Sequence, residues 1–176
     1  MADATKIALG VCNATFDGVA LGHTKGGVEC VYEPVWHDVK VDQYGDTVVK
    51  KRLMGEKFTA KVPLAEYTIA NLGIGMPAGT VVTDGTTPTK KRLDVGSSAG
   101  ASSDDLAAVL LLHPVDATGV EHDITVHKAM VGSQVTLSHV NDGERIIECN
   151  FEAIIDETQD DGARLFSIGD TTAVAA

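Results

Sequence analysis

Read with a period of two, residues 144–156 divide into two unlike faces. Ile147, Cys149, Phe151, Ala153 and Ile155 fall on one side, and Glu144, Ile146, Glu148, Asn150, Glu152 and Ile154 on the other. The pattern predicts a strand with one core face and one acidic face. Thirteen residues at about 3.4 Å each would reach roughly 44 Å, about twice an ordinary strand, so the element is expected to project beyond the domain that anchors it. A row of carboxylates on a projecting strand points to a shared wall or channel rather than an active site.

The same alternation recurs along the chain. Residues 7–11 and 14–16 read as short strands, and Asp17-Gly18 is a tight hairpin pair before Val19, Ala20 and Leu21. A turn rich in glycine, residues 22–27, leads into a second long run, residues 28–41. There Val31, Val35, Val39 and Val41 share one parity, with Cys30, Tyr32 and Trp36 on the other. Pro34 has no amide donor and marks an edge or a bulge. Periodicity then dissolves over residues 42–55, which predicts a long exposed loop or a splayed hairpin, the kind of element that carries interactions. Strand character resumes at 56–62, with Phe58, Ala60 and Val62 inward and Lys57, Thr59 and Lys61 outward.

Pro63 is expected to begin the single persuasive helix, with Leu64, Ile69 and Leu72 on one face and Gly73 as its stop. Further strands are predicted at 80–83, 90–95, 106–115, 123–130 and 134–140. The run 106–112 is apolar on both parities and is expected to be the most deeply buried. Residues 158–176 form a polar, then alanine-rich tail, expected to be mobile or to clip onto a neighbour. The whole chain, 1–176, reads as one mainly β domain, a β-sandwich or barrel-like fold with one short flanking helix, rich in Val, Thr, Gly and Asp. At 176 residues and 44% hydrophobic content it can bury roughly 70% of its unfolded surface without a staple.

Charge narrows the function. The formal net charge is −11, with 11 Lys and Arg against 10 Asp and Glu in residues 1–92, and 3 against 15 in residues 93–176. An acidic surface repels phosphate, which argues against stable nucleic-acid binding but not against nucleic acid passing by. Cys12, Cys30 and Cys149 are odd in number, lack CxxC spacing and sit in apolar alternation, as buried thiols in a reducing compartment do. Residues 1–6 have no secretory pattern, and no apolar run is long enough to span a bilayer as a helix. Assembly in a cytoplasm is the expectation.

Catalytic signals are weak. The six histidines come without HExxH or close ligand pairs, and there is no nucleophile elbow or Walker sequence. His37, His127 and His139 fall in strand-like stretches. His113 and His122 bracket a loop with Asp116 and Glu121 that could in principle hold a divalent ion. No cofactor, metal or catalytic residue is assigned. Lys50, Lys51 and Arg52 recur as Lys90, Lys91 and Arg92 within a seven-residue echo, most simply a coincidence.

The block Thr15-Phe16-Asp17-Gly18-Val19-Ala20-Leu21-Gly22-His23-Thr24-Lys25-Gly26-Gly27-Val28-Glu29 continues through Gln43-Tyr44-Gly45-Asp46-Thr47 to Pro63-Leu64-Ala65-Glu66. It resembles the tail tube proteins of long-tailed, non-contractile bacteriophages, over about residues 14–75. Residues 73–103 do not follow that pattern and read as an elaboration on the outer surface. The resemblance implies a virion tail protein, assembled in the host cytoplasm as hexameric rings that stack into a hollow tube for viral DNA. It also implies tape-measure and tail-tip or terminator partners, and long strands joined across subunits into a lumen barrel. On that reading Glu144, Glu148, Asn150 and Glu152 are the lumen-lining candidates. Gln43, Tyr44, Lys50, Lys51 and Arg52 are the candidates for contacts between subunits or rings. The DNA passes without specific binding, and no membrane insertion is expected. A tube of the type VI secretion kind, a head-decoration protein and, less favoured, a small β-barrel hydrolase using residues 113–123 are the alternatives.

Overall fold

A computed structural model describes residues 10–96, 98–137, 139 and 141–173. Among them are ten strands, all paired antiparallel, and two short helices. In chain order the strands are β1 (Cys12–Phe16), β2 (Val19–Ala20), β3 (Glu29–Lys40), β4 (Val48–Leu64), β5 (Gly79–Thr83), β6 (Lys91–Val95), β7 (Ala108–Pro114), β8 (Ile124–Val131), β9 (Ile147–Ala153) and β10 (Phe166–Ile168). The helices are α1 (Ile69–Gly75) and α2 (Ser103–Leu106).

The main sheet runs β2-β1-β7-β8-β9-β4-β3, and β10 joins the edge of β8 that β9 leaves free. The ends of this order do not meet, so the sheet is not a closed barrel. Instead it curls over one face. Phe16 of β1 lies 5.1 Å from Phe151 of β9 between ring centroids, and Phe58 of β4 stacks at 4.2 Å on Phe166 of β10. Between them the core gathers Ala14, Val62, Leu64, Leu110, Leu112, Val126, Ile147 and Cys149, all essentially without solvent contact.

The hairpin at Asp17-Gly18 forms as its residues require, with φ of 50° and 72° that suit the twist of a two-residue turn. The turn at residues 22–27 straps β1 and β2 to the end of β4. The Lys25 amide donates to the Pro63 carbonyl at 3.0 Å, and the Ala65 amide to the His23 carbonyl at 2.8 Å. Helix α1 covers the core side of β9. A Cβ at Gly75 would stand 3.4 Å from Ile147 and 3.5 Å from the Cys149 sulfur, so glycine permits this close approach. Strands β5 and β6 form a separate two-stranded hairpin beside α1.

Several expectations need correcting. The long acidic strand is short: β9 has 7 residues, and Glu144, Ile155 and Asp156 lie outside it. Asp156 ends the run by accepting from the Thr158 amide at 3.0 Å and hydroxyl at 2.7 Å, a local turn that competes with the ladder. The overlong strand is β4, with 17 residues, and of the two expectations for residues 42–55, an exposed loop or a splayed hairpin, the hairpin is found, with residues 48–55 in its returning strand. Pro63 and Leu64 are the last strand residues rather than the first of the helix, and Thr68 caps α1 by accepting from the Asn71 amide at 3.1 Å. Residues 103–106 are a short helix, so the run 106–115 splits, and Val109 is 46% exposed despite its apolar neighbours. Residues 134–136 are not a strand, and Leu137 makes a lone bridge to Ile147. Far from hanging free, part of residues 158–173 returns to the sheet as β10. Residues 7–9, 138, 140 and 174–176, included in predicted elements, lie outside the described residues.

Candidate functional site

Strand β4 pairs with β9 only from Thr59 to Leu64, while its pairing with β3 continues out to Val48. Beyond Thr59 the two strands therefore leave the sheet as a two-stranded arm. From Val31, opposite Thr59, to Lys40 is nine steps, roughly 30 Å. Two register shifts interrupt it, where Met54 and Val49 are the unmatched residues. At its end the 3-10 turn Asp42–Tyr44 and Gly45, with φ of 60°, reverse the chain.

Exposed apolar side chains concentrate on this arm. Trp36 is 51% exposed, Tyr44 66%, Leu53 41% and Met54 64%. A strand pair with two free edges and bare aromatic side chains invites pairing with another chain. Of the candidate contact residues, Gln43 and Tyr44 stand in the turn at the tip, and Lys50, Lys51 and Arg52 on the returning strand. Lys51 meets Asp38 across the arm at 3.4 Å, and Lys40 meets Asp46 at 3.1 Å. No ion pair forms at Lys50 or Arg52 among the described residues.

The register also defines the outer face of the sheet. Glu29 lies opposite Lys61, which lies opposite Asn150; Val31 lies opposite Thr59, which lies opposite Glu152; Glu33 lies opposite Lys57. Glu148, Asn150 and Glu152 share this face, as their parity predicts. Glu148 forms an ion pair with Lys61 at 3.2 Å, and Glu152 reaches over Gly132, where a Cβ would meet its carboxyl at 2.8 Å. Glu144 is apart from them in the preceding bend and pairs with Lys25 at 2.5 Å, a hydrogen bond that holds its carboxyl below the usual range. The acidic row of β9 therefore stands beside lysines of β4 on the same face. Alternation alone makes Lys57 and Lys61 outward residues of their strand; their place beside the glutamates depends on strand order, which no local pattern encodes.

At the root of the arm, Tyr32 and Glu56 face one another across β3 and β4. The Tyr32 hydroxyl donates to the Glu56 carboxylate, and that bond raises the phenol pKa. They help line an open groove of about 490 Å³, whose other wall is Ile155, Asp161, Gly162, Arg164, Leu165 and Phe166.

The residues weighed for catalysis do not converge. His113 Nδ1 lies 2.6 Å from the carboxylate of Asp123, which is 5% exposed. Asp116 lies beside Gly10, and Glu121 and His122 are exposed. His127 bonds Ser167 at 3.0 Å, His139 sits edge-on to Tyr67, and His37 is exposed on the arm. Among the described residues, no group of three or more His, Cys, Asp or Glu is placed to hold a metal ion. Burial raises all three thiols, Cys30 and Cys149 to about 11, and Cys12 sits close enough to add to the shift at Cys30.

Comparison with protein-family models and with characterised proteins finds no match for this chain.

Proposed function

We propose that this chain is a structural subunit that assembles with copies of itself into a hollow tube, the major tail tube protein of a long-tailed, non-contractile bacteriophage. The observation that carries this reading is the β3–β4 arm, which leaves the sheet with free edges and uncovered apolar side chains. A monomer gains nothing from such an arm, whereas neighbouring copies that pair along it cover both the edges and the side chains. Six copies to a ring, and tape-measure and tail-tip proteins as partners, come from the resemblance of residues 14–75 alone.

In such a tube the outer face of β3, β4, β9 and β8 lines the channel. Over residues 29–33, 57–61 and 148–152 of that face, Glu29, Glu33, Glu148 and Glu152 outnumber Lys57 and Lys61, so DNA meets a mildly repulsive wall relieved by ion pairs there, while Lys50 and Arg52 continue the same face along the arm and Lys128 of β8 is paired with Asp104. A basic lining would hold the phosphates instead. Glu144, drawn aside by Lys25, sits at the margin of that wall.

Electron microscopy of the purified protein over a range of concentrations, with light scattering on the same samples, tests the reading. Rings or hollow tubes with an axial pore are the expected result. A chain that stays monomeric throughout overturns it.

A further inference from the structure

The groove at the root of the arm has its polar groups engaged within the chain: Tyr32 with Glu56, and Arg164 with Asp161 at 2.7 Å. What it lacks is apolar cover, since Tyr32 is 46% and Ile155 56% exposed. The wall beyond it carries Asp156, Glu157, Asp160 and Asp161 against Arg164, with Lys128 of β8 near enough to interact with Asp156 and Glu157. The returning strand of the arm has the complementary character, while residues 33–46 carry Glu33, Asp38, Asp42 and Asp46 against Lys40. Residues 48–57 carry Lys50, Lys51, Arg52 and Lys57 against Glu56, and Tyr44 stands bare at the tip.

We propose that this groove is the seat for the arm of a second copy, with Tyr44 packing over the Tyr32 and Phe166 rings, which already touch at 5.9 Å between centroids, and with Lys50 and Arg52 facing Glu157 and Asp160. The proposal rests on the self-assembly reading above and adds to it the surface that receives the arm. Geometry makes the contact intermolecular. The groove lies where the arm begins, and a paired ribbon extending roughly 30 Å outward cannot bring its tip back to its own root. Apolar insertion supplies cohesion, and the opposed charges set register and exclude wrong pairings.

Charge exchange tests it. The arm variant Lys50→Glu with Arg52→Glu, and the groove variant Glu157→Lys with Asp160→Lys, are each expected to raise the concentration needed for assembly by roughly tenfold or more. In the first variant a negative arm meets a negative wall, and in the second both are positive. An equimolar mixture restores attraction at every contact and is expected to assemble near the wild-type concentration, as is a single chain carrying all four changes. Tyr44→Ala is expected to weaken assembly without altering the fold seen by circular dichroism.

If the wild type assembles but the two charge variants assemble equally well, or if neither the mixture nor the fourfold variant recovers, the groove is not the seat and the tube reading stands. If the wild type itself never assembles, both fall. The mixed-variant rescue also guards against misfolding, because two unfolded chains would not repair one another.

Discussion

Gly22 holds a backbone φ of 79°, and a Cβ added there would fall 2.3 to 2.5 Å from the Glu66 carboxyl, inside any permissible contact. Gly22→Ala is therefore expected to cost roughly 1–3 kcal/mol, read as a lowered Tm, because the backbone conformation requires glycine and the Glu66 carboxyl would have to swing away from His23. The carboxyl it would strike is itself held by His23. The imidazole Nδ1 at 2.6 Å and the His23 amide at 3.0 Å lower the Glu66 pKa below its ordinary value of 4.5. A carboxyl whose folded pKa is depressed stabilises the fold above its unfolded pKa, and that contribution is lost as pH falls through the folded value. Thermal unfolding of the wild type should thus show a loss below about pH 4.5 that is smaller in Glu66→Gln, the remainder coming from carboxyls such as Glu144 and Asp156 that are lowered in the same way. In the core, Phe151 is 1% exposed and in contact with Phe16. Phe151→Ala should cost about 3–5 kcal/mol in denaturant unfolding, since the cavity would join both walls of the curled sheet.

At the scale of elements, the alternation of residues 56–62 identified the inward set Phe58, Ala60 and Val62, and all three are buried. The same rule applied to residues 144–156 found the right faces within β9 and the wrong length, and Ile155, expected on the core face, is 56% exposed. Parity depends only on the backbone pleat, whereas length depends on where a partner strand ends and where a side chain such as Asp156 captures the backbone. Residues 48–55 hid their strand character because both faces of the arm are exposed, and a ribbon with no buried side has no apolar period to read. The arm's independence leads to a prediction at this scale. Trp36 and Leu53 lie directly opposite one another, so residues 37–52 can be replaced by Asn-Gly as a two-residue turn. The shortened chain should unfold within a few degrees of the wild-type Tm, since the deleted side chains bury little of the core, yet fail to assemble in sedimentation experiments.

For the molecule as a whole, ionic strength separates the two contributions to association. Edge pairing and apolar insertion withstand salt, but the attraction between the basic returning strand of the arm and an acidic wall is screened over about 10 Å at 0.1 M. Assembly followed by light scattering should slow and shift to higher concentration as salt rises. What residue order determined by itself was the β-rich class, the Asp17-Gly18 hairpin, the inward and outward sets of the core strands, the buried Cys149 thiol, with Cys12 and Cys30 only half-buried, and the asymmetry of charge. Each follows from local periodicity, turn chemistry or composition. What only the tertiary structure decided was which strands are neighbours: that β9 lies between β4 and β8, that Lys61 thereby stands beside Glu148, and that residues 158–173 return to wall a groove with Tyr32. These relations join residues far apart in the chain, and they arise because one curled sheet buries its apolar face most completely in this order. No single segment carries that information.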